Sequence, residues 1–366
     1  MTDQLIIITP ELRPGAGGLA DHTVRLLEKW HTPQQTTVLV ARADLHESMS
    51  GRHDVKQLEQ DSGAILEQLP ARSGKIFLQY SAYGFDRYGF PRHLLRALIE
   101  WKQRAQGRLV VMFHEIWAFW PITNKNYLLQ QLHRRAIRRL LQVCDVAFTS
   151  TSSQADHLRR LSAVPVRLLP VGSNIRCSEI KTVERKPGWA ALFGLQETRL
   201  RALQTMRDSL KALAAARRFT KIVSLGGNSN GQSGRGEREL LAELNLAEGF
   251  EQAGAGSEEK ISALLSTVSF GIFGQNELSY SKSGSFMAYA NHGLNVVAEF
   301  ADPAKAPPVC YLVAPDELLS GVSRDELDRR AKALQAWQEQ NCSWDVIAGT
   351  LADALQIDAI RPRPTV

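Results

Sequence analysis

Cysteine is scarce. The 366 residues hold four, Cys144, Cys177, Cys310 and Cys342, and no C-x-x-C pair occurs. Such spacing argues against a disulfide scaffold and a cysteine zinc cluster, and fits reduced thiols in a cytosol. No apolar run approaches the roughly 18 residues that a membrane-spanning helix needs. Residues 1–4 carry no basic charge and lead into only a short apolar run, so no secretory signal is expected. The charge imbalance is modest: 44 Lys and Arg against 38 Asp and Glu leave +6, with a pI near 9.2. It favours anionic ligands or an anionic surface and says nothing of fold. Hydrophobic residues make up 44% and charged ones 22%, which excludes a largely disordered or fibrous chain. The length suits two domains.

Short apolar runs alternate with longer amphipathic stretches. Residues 5–8, 37–40, 75–78, 110–113 and 146–148 read as strands buried on both faces, with helices over 19–30 and 127–143. A second series puts strands at 190–193, 222–225, 270–273 and 295–298. Helices are expected over 201–217, 237–244, 257–267 and 283–291. Ser257 before Glu258 and Glu259 is a good helix start, because the hydroxyl caps and the acids face the positive end. Strand–helix alternation implies parallel sheets. Residues 170–187 lack apolar periodicity and are read as a linker.

Several motifs stand at expected strand ends, where open α/β sheets bind ligands. Gly15, Gly17 and Gly18 follow the first strand and open a helix. They allow close backbone approach to an anion, or form a plain tight turn. The sixth position of a G-x-G-x-x-G reading is Ala20, and no acid follows at the usual distance, so a dinucleotide site is only weakly supported. His114-Glu115 follows the strand at 110–113. His114 could serve a ligand as donor or proton carrier, or be a structural histidine. Trp117, Phe119 and Trp120 then form an aromatic wall for an acceptor, or a packed loop. Ser281-Lys282-Ser283-Gly284-Ser285 opens an apolar helix with hydroxyls, amides and a cation suited to phosphate. It is not a P-loop, because the lysine precedes the glycine. Gly226-Gly227-Asn228 follows another strand, as a ligand loop or a surface turn. Arg134, Arg135, Arg138 and Arg139 are expected on one face of the 127–143 helix, with Leu129, Leu132, Ala136 and Leu140 on the core side. That face suits anionic lipid or solvent. It has no interleaved aromatics, so no nucleic acid is expected.

This set resembles the retaining GT-B glycosyltransferases of bacterial cell-envelope and polysaccharide synthesis (family 4-like, group 1). Gly17-Gly18-Leu19-Ala20-Asp21-His22 is similar to the family's G-G-[IL]-[AG], and His114-Glu115 to its H-[DE]. Residues 151–158 are similar to its S-x-x-x-x-x-x-L helix, and 168–174 to its I-P-N-G-V-D crossing. Gly293 to Val297 with Glu299 follow its G-x-P-V-V region. The family's two donor-site glutamates would fall at Tyr280 and Ala288, and neither is acidic; Glu277 is near but out of register.

The resemblance implies an α/β chain of the GT-B kind, two Rossmann-like domains whose parallel sheets face a cleft. The acceptor-side domain spans 1–170 and a linker spans 171–187. The nucleotide-sugar domain spans 188–342, and a terminal helix over 343–366 returns to the first domain. It implies metal-independent, retaining transfer of a hexose from a nucleotide sugar to a glycan or lipid-linked acceptor, without a cofactor. Lys282, Ser283, Gly284, Ser285 and Arg199 would hold the diphosphate. Gly17 and Gly18 would approach from the other domain, and His114 would touch the donor sugar. Gly226, Asn228, Glu277 and Tyr280 are further candidate nucleotide or sugar contacts. The implied location is the cytoplasm, with peripheral membrane contact through the arginines as a further expectation. Two alternatives stay open: a degenerate GT-B binding protein without turnover, and an NAD-dependent enzyme using the first loop.

Overall fold

The computed structural model describes residues 4–12, 18–30, 36–42, 53–177, 184–227, 235–246 and 248–357. The chain divides into two compact units, Met1–Pro170 with Trp344–Val366, and Val171–Ser343.

The first unit holds strands β1 Leu5–Thr9, β2 Thr36–Val40, β3 Asp54–Gln57, β4 Lys75–Tyr80, β5 Arg108–Phe113, β6 Val146–Thr149 and β7 Val166–Leu168. Its helices are α1 Gly18–Lys29, α2 Ser62–Gln68, α3 Ala82–Phe85, α4 Arg92–Ala105, α5 Tyr127–Val143 and α6 Ser152–Arg159. The sheet runs β3-β2-β1-β4-β5-β6-β7, with every neighbouring pair parallel. The apolar runs lack alternation because both faces are covered. Ile6, Ile8, Ile76, Leu78 and Val111 pack under α4 and α5, while Leu5, Ile7, Phe77, Val110 and Met112 face the other way. That second layer is completed by α14, Trp344–Leu355, through Ile347, Leu351 and Leu355. The Trp30 indole donates to the Ala348 carbonyl at 3.3 Å, and Lys29 pairs with Asp345.

The second unit holds β8 Lys186–Phe193, β9 Lys221–Leu225, β10 Phe250–Gly254, β11 Val268–Ile272 and β12 Asn295–Val297. They form a parallel sheet in the order β10-β9-β8-β11-β12. Around it lie α7 Gln196–Thr205, α8 Arg207–Ala215, α9 Arg235–Glu243, α10 Glu258–Thr267, α11 Gly284–Asn291, α12 Pro315–Ser320 and α13 Arg324–Cys342. Short 3-10 segments span Glu277–Lys282 and Val309–Tyr311.

Four expectations differ. The helix expected over 201–217 is two, because Met206 leaves helical geometry at ψ 19°. Strands β3, β7 and β10 were not foreseen. Each is a sheet edge, less covered than the centre, and so carries polar residues instead of an apolar run. Residues 171–177 and 184–187 are not a free linker: Ile175 is buried in the second unit's core, and Arg185 donates to the Val268 and His292 carbonyls. On α5, Leu132 is 42% exposed, while Gln130 and His133 take buried places. Gln130 accepts from the Trp120 amide, and an His133 ring nitrogen meets the Tyr88 carbonyl.

Candidate functional site

In each sheet the chain reverses direction beside its first strand. That topological switch lies between β1 and β4 in the first unit and between β8 and β11 in the second. Loops at the carboxyl ends diverge there and open a crevice suited to ligands. Both crevices are lined by buried polar groups.

In the first unit, Thr9 ends β1, Gln79 lies near the end of β4, and His114 follows β5. Gln79 Nε2 donates to Thr23 Oγ1 at 2.6 Å, and Thr23 Oγ1 lies 3.2 Å from Thr9 Oγ1. Gln79 Oε1 is 2.7 Å from His114 Nε2. An amide oxygen only accepts, so His114 carries its proton on Nε2. Gln154 joins the network: it accepts from Thr149 Oγ1 and reaches the His114 carbonyl.

His22 on α1 sits edge-on to His114, ring centroids 5.0 Å apart, and to Trp344 at 5.1 Å. Neither His22 ring nitrogen has a hydrogen-bond partner among the described residues. Burial pulls its pKa down to about 4. Burial, and then the neighbouring His22, hold His114 well below the usual imidazole range. Both rings are therefore neutral near pH 7. Of the two first-loop glycines, Gly18 opens α1, while Gly17 lies outside the described residues. Trp117 is buried, and Phe119 is 59% exposed, its ring 4.8 Å from that of His157.

In the second unit, the α11 start stands at this crevice. Ser283 caps the helix, its Oγ accepting from the Phe286 amide at 3.3 Å. Gly284 and Ser285 form the first turn, and Lys282 is exposed beside it. Ser285 lines a small pocket with Thr198, Gly274 and Gln275 at the ends of β8 and β11. Gly194 stands so close that a Cβ there would lie 3.0 Å from Ser285 Oγ. Tyr289, from the same helix, accepts at its hydroxyl from the Phe193 amide at 2.6 Å, which ties α11 to β8.

The structure corrects Arg199 as a phosphate ligand. Its side chain and that of Glu237 are wholly buried and paired at 2.6 Å. Its Nε also donates to Glu237, and its Nη1 donates to the carbonyls of Gly194, Leu225 and Gly227. Glu237 accepts from Ser224 as well. Arg199 is thus the bolt joining the ends of β8 and β9 to α7 and α9. Gly226 serves the same junction. Its φ is +119°, and a Cβ would fall 2.2 Å from the Gly194 carbonyl oxygen. Asn228 lies outside the described residues. Glu277 is paired with Lys305 at 2.6 Å, and the half-buried Tyr280 ring packs on Phe286 and Trp337 instead of standing free.

The four arginines of α5 do not share one surface. Arg134 lies over the Trp117 ring at 5.8 Å, whereas Arg135 and Arg139 turn toward α4. Sequence reasoning missed Gln79, Thr23 and Glu237, and met His22 and Tyr289 only as the ends of the first-loop and α11 motifs, with no role assigned. Gln79 did leave a trace, as the one amide among the buried residues that follow Lys75 in the strand Lys75–Tyr80.

No protein-family model matches the sequence, and no curated protein matches it at a significant level. Solved structures do match its fold. A sucrose-phosphate synthase from Thermosynechococcus elongatus is 14% identical with a TM-score of 0.62, over 97% of this chain and 98% of that one. HepE of Anabaena, in complex with UDP and glucose, is 12% identical with a TM-score of 0.64, over 97% and 100%. WaaG, a glycosyltransferase involved in lipopolysaccharide biosynthesis, is 12% identical with a TM-score of 0.60, over 96% and 99%. With its two parallel sheets, the chain shares the α/β GT-B fold of these glycosyltransferases.

Proposed function

We propose that the protein is a glycosyltransferase. It moves a hexose from a nucleotide-activated sugar to a glycan or lipid-linked acceptor, with retention and without a metal ion or cofactor. The observation that carries this reading is the start of α11 at the second crevice. Among the described residues, Ser283 Oγ engages the Phe286 amide and leaves the Gly284 and Ser285 amides uncommitted. With the helix dipole and Lys282 they form a cradle for a diphosphate. Neighbours of the same fold hold UDP and glucose. Transfer builds negative charge on the leaving diphosphate, and fixed amides with a cation stabilise that charge as it develops. His114, neutral and held by Gln79, presents a ring edge to a sugar hydroxyl in the first crevice.

One observation favours a second reading, nucleotide binding without turnover. Ala288 is wholly buried and Tyr280 is packed on aromatic rings, so neither offers a carboxylate at the positions where the resemblance puts the donor-site glutamates. The test is thermal stabilisation by UDP, GDP, ADP, dTDP and NAD, followed by release of nucleoside diphosphate from the matching sugar nucleotide. Stabilisation and release support transfer, and stabilisation alone supports the binding protein. Stabilisation by NAD alone refutes both.

A further inference from the structure

A groove of about 690 Å³ runs between α4 and α5 on the first unit. Its rim is made by Arg92 and Arg96 from α4 and by Arg135 and Arg139 from α5, all exposed. Each pair is spaced by four, so its members stand one turn apart on one helix face. None of the four forms an ion pair among the described residues, and the one carboxylate lining the groove, Glu100, is held by Arg104. The floor between the arginines is apolar, formed by Leu95, Ile99, Leu132 and Ala136. The apolar character continues outward. Leu128, one turn before Leu132, is 75% exposed, and Ile122 in the preceding loop is 77% exposed.

Two needs meet on this face. Four uncompensated cations around an apolar floor attract an anion. Large aliphatic side chains held in solvent favour an apolar phase beside it. A bilayer rich in anionic phospholipid supplies both within a few ångströms of depth, phosphate at the headgroup level and hydrocarbon just below. A second copy of this chain would set the same arginines against their own kind, because a two-fold interface is self-complementary. Nucleic acid would meet the charge and leave Leu128 and Ile122 in water. We propose that this face docks the protein on an anionic phospholipid surface. A headgroup phosphate sits in the α4–α5 groove, and Leu128 and Ile122 reach the acyl boundary. The proposal is independent of the transfer reaction and of the phosphate cradle at α11.

The test is co-sedimentation of the full chain with vesicles of phosphatidylcholine or of phosphatidylglycerol. Pelleting is expected with phosphatidylglycerol alone and should weaken as salt rises. An arginine near an anionic surface strengthens binding about fivefold, so Arg92→Ala/Arg96→Ala/Arg135→Ala/Arg139→Ala together should weaken it on the order of a few hundredfold. Ile122→Ser/Leu128→Ser should weaken it with charge unchanged. All six side chains are exposed, so melting curves of both variants should match the parent's. Failure of the parent to pellet overturns the proposal, as does equal pelleting of the arginine variant. A dimer that the arginine variant dissociates, or an oligonucleotide bound more tightly than the vesicles, overturns it in favour of that partner. Nucleotide stabilisation measured on the same variants should stay at the parent's value, which keeps this result apart from the transferase reading.

Discussion

Replacing Arg199 by Met keeps much of the side chain's length and removes its charge. Glu237 would then be a wholly buried carboxylate left with Ser224 as its hydrogen-bond donor among those described. The Gly194, Leu225 and Gly227 carbonyls would lose the same donor together. Breaking a buried pair from one side costs about 3–5 kcal/mol, because the remaining charge has neither water nor partner. For a unit of this size each kcal/mol moves the melting point by about 2–4 °C, so a fall of about 10 °C is expected. Arg199→Met/Glu237→Met should recover most of that loss, since the stranded charge is gone and two apolar side chains fill the space. Urea denaturation of the parent, both single variants and the double variant gives the coupling energy directly. The double variant should also keep its thermal response to a nucleoside diphosphate. An Arg199→Met variant within about 1 kcal/mol of the parent would refute the structural role. A stable double variant that no longer responds to nucleotide would return Arg199 to the phosphate.

Acid should destabilise the first unit early. His22 titrates near 6.5 when unfolded and near 4 when folded, so below 6.5 the unfolded chain binds the extra proton and stability falls with pH down to about 4. At pH 5 that is about 2 kcal/mol from His22 alone. His114 acts in the same direction, and urea melts of His22→Gln at pH 5 and 7 should show a smaller difference than the parent's. Gln79→Leu should cost about 2 kcal/mol or more in urea, because it leaves His114 Nε2 and Thr23 without their shared partner. Lys282→Ala should leave the melting point nearly unchanged and weaken nucleotide affinity by about 1–3 kcal/mol in titration calorimetry; unchanged affinity removes Lys282 from the cradle. Gly226→Ala should lower the melting point by several degrees, since φ is +119° and the Gly194 carbonyl occupies the methyl's place.

The sequence made the central strands and the covered edge strand β12 plain and hid the three open margins, for one physical reason. Ile6, Ile7, Ile8 and Phe77 are apolar without alternation because helices cover both faces of β1 and β4. At β3, β7 and β10 one flank is open, so Asp54, Arg167 and Glu251 are tolerated and the run dissolves into what reads as loop. Site residues behaved likewise. The placement of the candidates His114 after β5 and Ser283–Ser285 at the start of α11 was legible because strand ends and helix caps are local features. Arg199 was misread, since an arginine after a strand looks the same whether it serves a phosphate or a glutamate 38 positions away. The α5 arginines were grouped correctly as basic. Their division between Trp117 and the α4 groove depends on partners that helical spacing does not contain.

The placement of α14 bears on the order in which the molecule can be built. The second unit is one uninterrupted span, Val171–Ser343. The first is split, and Ile347, Leu351 and Leu355 must arrive to cover Ile7, Phe77 and Val110. On a ribosome, therefore, the unit that begins first cannot close first. One face of its sheet, covered by α1 alone through Leu26, Leu27 and the following Trp30, stays incomplete while all of the second unit is synthesised, some 170 residues, at about 5–20 residues per second. For about ten seconds or more, the apolar side chains that α14 later covers stay within reach of other chains.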